Sequence, residues 1–170
     1  MRLSEALPVF KGLELKMSEA YLWCSINFED YELRKFFSEM TDAELSHARA
    51  LDSLSSRPET ARTSIDLPEG LVRDIRAGLE AKVEALQKEK DVHRAFYLIA
   101  EMEQSELNAV FDSTVRGLGE LNLAHLELTT KQHIRHLREA AGKFGATPGV
   151  REALDGMLVK DRSYYRLFTD

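Results

Sequence analysis

Cysteine occurs once in these 170 residues, tryptophan once, proline four times and glycine nine times. The lone Cys24 excludes an internal disulfide, a four-cysteine metal knuckle and any Cys-x-x-Cys pair, and it fits a reducing compartment. No run of alternating β-branched residues is long enough for a sheet, and the few Pro and Gly fall mostly between periodic stretches, so the expected fold is all-α. No uncharged run approaches the roughly 20 residues that span a bilayer, and the first residues lack the apolar core of a signal peptide. A basic excess is missing too. With 29 Asp plus Glu against 23 Lys plus Arg, no basic face is offered to nucleic acid or a membrane surface. The expectation is a soluble, cytoplasmic protein with small-molecule partners.

What the chain does have is helical rhythm. Phe37, Met40, Glu44, His47, Leu51 and Leu54 recur at alternating spacings of three and four, the mark of one buried helix seam. Glu44 and His47 occupy two steps of that apolar seam. A carboxylate aimed at a core costs several kcal/mol unless a partner compensates it, and a metal cation is the strongest partner available.

The same rhythm divides the chain into one domain, residues 1–170, with two helical hairpins. In the first hairpin, residues 1–54, one helix runs from about Ser4 to Phe28 with Glu14 and Tyr21 on its seam, and a second runs from about Tyr31 to Leu54. The link at Glu29-Asp30 is so short that the two must lie antiparallel. Residues 55–90 form a polar crossover with a charged helical stretch from about Leu71 to Lys88. In the second hairpin, residues 91–144, a helix from about Asp91 to Val115 carries Glu103 and Glu106, and one from about Glu120 to Lys143 carries His133, with Gly117 and Gly119 between them. A final helix, residues 147–168, starts at Thr147-Pro148, a cap followed by proline in the first turn, and caps the bundle or a second subunit. Aligning Glu14 with Glu103 and His47 with His133 superimposes the apolar positions of the two halves, which suggests an internal duplication.

A glutamate on the first helix, Glu44-Leu-Ser-His47 on the second and Glu103-Gln-Ser-Glu106 on the third resemble the ferritin-like di-iron carboxylate superfamily. Glu14 with Tyr21, the stretch Asp30-Tyr-Glu-Leu-Arg-Lys-Phe-Phe37 and the paired Glu103 and Glu106 are similar to its rubrerythrin-like branch, over roughly residues 5–142 and without a rubredoxin domain. The resemblance implies a ferritin-like four-helix bundle with a long crossover, two iron ions held by Glu14, Glu44, His47, Glu103, Glu106 and His133, and Tyr21 beside a bound oxygen species. It implies reduction of H2O2 or O2, or oxidation of Fe(II), with electrons from a separate donor protein or from Fe(II) itself, in a homodimer. Carboxylate and imidazole donors would also take manganese or zinc.

One departure stands out. The family's fourth-helix Glu-x-x-His is Thr130-Lys-Gln-His133 here, and a threonine hydroxyl cannot bridge two cations. Glu106, one turn from Glu103, is the expected replacement bridge. His136, about 60° off the His133 seam, is a reserve ligand. Three rival readings follow from the same residues: a metal-free buried polar network, a non-catalytic bundle with a decayed site serving as an interaction or metal-holding module, and an oxidase of an organic substrate, which would need an apolar pocket beside the metals.

Overall fold

The computed structural model describes the backbone of residues 2–62, 69–118 and 123–165, and the side chains of 2–58, 60–62, 70, 72–105 and 131–158. It is all-helical. In chain order the elements are α1 (Leu3–Asn27), α2 (Tyr31–Ser55), α3 (Pro58–Arg62), α4 (Glu69–Leu86), α5 (Val92–Leu118), α6 (Leu123–Lys143) and α7 (Pro148–Tyr165).

Local chemistry explains most of the boundaries. The Asp30 carboxylate accepts from the Leu33 amide at 2.8 Å and starts α2 as a side-chain cap. The α1 start lies two residues before the expected cap: Arg2, not Ser4, occupies that position, and the Glu5 carboxylate turns back to accept from the Arg2 amide at 2.9 Å. α5 continues past Gly117 to Leu118, since one glycine costs a helix only about 1 kcal/mol. α6 begins at Leu123 and α4 ends at Leu86, two residues short of Lys88. Gly145, at φ 78°, turns the chain between α6 and α7. α3 was not foreseen; it is held by the buried Thr60 hydroxyl donating to the Leu54 carbonyl at 2.7 Å.

Ion pairs fix the helix directions. Lys11 meets Asp52 and Glu14 meets His47, so α1 and α2 run antiparallel, as residues 28–30 between them require. Glu44 meets His133 and Glu32 meets Lys143, so α6 runs antiparallel to α2. α4 covers α1 and α5 with Leu79, Val83 and Leu86, and the Lys82 ammonium donates to the Glu101 carbonyl and the Ser105 hydroxyl of α5. α7 packs Val150 and Leu154 into the same core and is tied to α6 by the Arg138–Asp155 fork. It therefore caps its own chain.

Phe37, wholly buried, is the hub of an aromatic layer, with ring centroids of Tyr21, Phe28, Phe36 and Phe96 between 5.1 and 6.1 Å away. Phe144, just past the end of α6, stacks on Phe96. These tilted and offset contacts add to the area term of burial and leave the rings little freedom. The layer forms one wall of the polar centre described next. No described helix is long and apolar enough to cross a membrane.

Candidate metal centre

Four helices deliver polar side chains to one buried level: Glu14 and Tyr21 from α1, Glu44 and His47 from α2, Glu103 from α5 and His133 from α6. Each is under a tenth exposed, which for Glu44 is 1% and for His133 4%. Each also stands on the three-four seam that carries its helix's core residues. Burial of this polar set thus follows from the pattern that buries the leucines.

The geometry is organised around Glu44. Its Oε1 lies 2.9 Å from His133 Nε2 and its Oε2 lies 3.3 Å from His47 Nδ1. Each imidazole nitrogen faces a second carboxylate as well: Glu103 Oε1 is 2.9 Å from His133 Nε2, and Glu14 Oε2 is 3.3 Å from His47 Nδ1. The Tyr21 hydroxyl donates to Glu103 Oε1 at 2.6 Å and lies 3.4 Å from His133 Nε2. One N–H cannot point along two lines at once, and Glu44 Oε1 is left without a well-directed hydrogen bond.

Such spacings are those of hydrogen-bonded ion pairs and are equally compatible with a shared cation. Oxygen and imidazole ligands sit about 2.0–2.2 Å from a first-row ion, so neighbouring donors at right angles around it are about 3 Å apart. The observed separations of 2.9–3.3 Å match. Glu44, His47 and His133 offer ligand atoms all within 4.8 Å of one another, a group that could hold a metal ion.

Protons stand in for that positive charge in the metal-free protein. Burial and the neighbouring Glu44 charge push Glu14 up to about 8, so it is protonated at neutral pH. Burial opposes charging of His47, but hydrogen bonds and attraction to Glu14 and Glu44 prevail and raise it to about 9. His133 is raised well above its ordinary value against the same burial, by Glu44 and Glu103. Burial likewise opposes ionisation of Glu44, yet the two imidazoles hold its carboxyl below the usual carboxylate range.

Of the residues expected from sequence, Glu14, Tyr21, Glu44, His47, Glu103 and His133 are brought together. The backbone at Glu106 and Thr130 is helical, but their side chains lie outside the described residues. His136 is exposed and stands apart from the cluster, on the wall of a cleft between α2 and α6. That cleft has a volume of about 520 Å3 and reaches His47 and His133 at its inner end. Cys24 is fully buried among apolar groups, and burial raises its thiol pKa, which leaves it an inert core residue.

The cleft walls were not foreseen. Phe36, Ser46 and Gln132 carry no pattern that distinguishes a cleft from a half-exposed helix flank, and only the spacing of α2 and α6 creates it. No protein-family model, curated protein or solved structure matches this chain.

Proposed function

We propose that this chain is a ferritin-like, rubrerythrin-type protein that binds two iron ions. One observation carries the reading: the two oxygens of Glu44 face two different imidazoles, each backed by its own carboxylate. That arrangement supports the reading that Glu44 would serve two adjoining ion positions at once. Glu14 and His47 flank one position, and Glu103 and His133 flank the other. Glu106, one helical turn from Glu103 in the sequence, would supply the further carboxylate that Thr130 does not. Two bound iron ions supply one-electron chemistry toward H2O2 or O2, or act as the site of Fe(II) oxidation. Tyr21, through its hydroxyl at Glu103 and His133, is placed to donate a hydrogen bond or a proton at that point. Electrons come from a separate donor protein or from Fe(II).

A second reading has its own observation. Glu44, His47 and His133 form a two-histidine, one-carboxylate set, the donor composition of mononuclear Fe(II) sites. Stoichiometry separates the two. Purified protein reconstituted anaerobically with Fe(II), desalted and analysed for elements should carry two ions per chain, and Glu44→Ala should lose both. One ion per chain would favour the mononuclear site. Equal content in wild type, Glu44→Ala and His133→Ala would defeat both readings.

A further inference from the structure

The cleft between α2 and α6 is unused by the reading above. It reaches inward to two members of the centre, His47 and His133, past Phe36, Met40 and Ala43 of α2 and Ala140 of α6. His47, with 10% of its side chain exposed against 3% for His133, is the more open of the two. An ion bound for a centre this deeply buried must pass between helices, and here two helices stand apart with the centre's own imidazoles at the bottom of the gap.

Groups able to hold a cation mark the length of this gap. His133, His136 and Glu139 recur every third residue of α6 and all line the cleft, so the helix advances about 4.5 Å from each to the next. His136 and Glu139 are exposed, whereas His133 is buried, so the row leads from solvent to the centre. Three carboxylates, Glu32, Glu39 and Glu139, line the cleft against two ammonium groups, Lys35 and Lys143. Both lysines are engaged, Lys143 with Glu32 at 3.6 Å and Lys35 with Glu39 at 4.0 Å. Glu139 has no ion pair among the described residues, and its neighbour Arg138 is held by Asp155. The unbalanced charge of the cleft is therefore negative and lies beside His136. A cleft with one sign of charge in excess and low-dielectric walls concentrates the opposite ion and speeds its arrival.

We infer that divalent metal ions reach the centre through the α2–α6 cleft, with Glu139 and His136 taking the ion from solvent and passing it to His47 and His133. The inference rests on the metal reading above and concerns how fast the centre fills, not what it holds. Glu139 attracts the hydrated cation, and His136, one turn further in, offers an imidazole in exchange for bound water. Both stand outside the buried cluster, so neither keeps the ion. The apolar residues between them and the centre offer it no competing donor.

The test is stopped-flow uptake of Co(II), the neighbour of Fe(II) in the affinity order, by the full chain in metal-free form. The visible band of bound Co(II) gives the rate, and element analysis after equilibration gives the content. Ser46→Phe, at an exposed position on the cleft wall, should slow uptake about tenfold or more. Release to excess chelator should slow by the same factor, and the final content should not change, because a narrowed path alters rates and not the equilibrium. His136→Ala and Glu139→Gln should each slow uptake severalfold, and the Glu139→Gln effect should fade at high salt. Wild-type uptake in Ser46→Phe or in the His136→Ala/Glu139→Gln double variant would overturn the entry route and leave the metal reading standing. Lost metal content in the double variant would make these residues ligands and overturn it equally. No metal in the wild-type protein would end both readings.

Discussion

Glu14 and His47 show how a single residue ties stability to metal binding. Both have raised pKa values in the fold, about 8 against an ordinary 4.5 for Glu14 and about 9 against 6.5 for His47. A group with a raised pKa stabilises the folded state below its unfolded value and loses that contribution as pH climbs through the folded one. The metal-free protein should therefore lose stability between about pH 4.5 and pH 9, in two overlapping steps. Glu44, held low, adds the opposite limb, with stability lost as pH falls below the ordinary carboxylate range. Metal affinity runs the other way, because each ligand must shed its proton, so binding at neutral pH should release protons from Glu14, His47 and His133. Chelator-treated protein melted at pH 6 and at pH 9, beside a pH-stat record of metal addition, checks both. Equal melting temperatures or a silent pH-stat would contradict the proton distribution. All six clustered residues were legible in the sequence, since an ionisable group on an apolar seam has nowhere to point but inward. The orientation of the His133 ring was not, because it depends on neighbours from three other helices.

At the scale of elements, aromatic packing decides which helix faces meet. Phe37 touches rings from α1, α2 and α5, and no smaller side chain fills the same volume. Truncation to alanine at such a site costs about 3–5 kcal/mol. Phe37→Ala should lower the denaturation free energy by about that amount and loosen Tyr21, which a urea titration followed by near-ultraviolet circular dichroism would register. A loss below about 1 kcal/mol would show the layer to be slack. The long helices were readable from their periodicity, and so was the α1–α2 turn, because Asp30 is a strong cap. Their ends were less so: Gly117 does not stop α5, and five-residue α3 is too short for a period to show. The expected convergence of four helices on a centre follows from matched seams. The gap between α2 and α6 does not, since sequence carries no measure of the distance between packed helices.

On the scale of the whole molecule, a ligand that binds only the folded state stabilises all of it. At a free metal concentration a hundred times the dissociation constant the gain is about 2.7 kcal/mol. For a domain of this size that corresponds to an upward shift of roughly 5–10 °C in melting temperature. Differential scanning calorimetry with Fe(II) or Mn(II), then with excess chelator, should show the shift appear and reverse. An unchanged transition would mean that the clustered carboxylates and imidazoles are a polar network closed to metal.

The three-residue link between α1 and α2 has a temporal consequence. Glu14, Glu44 and His47 all belong to this one local hairpin, whereas Glu103 and His133 arrive from much later in the chain. Contacts between sequence neighbours form early, because little loop entropy opposes them. Four of the six clustered residues thus belong to a hairpin that precedes α5 and α6 in the chain. An ion captured there would act as a seed on which the second half condenses.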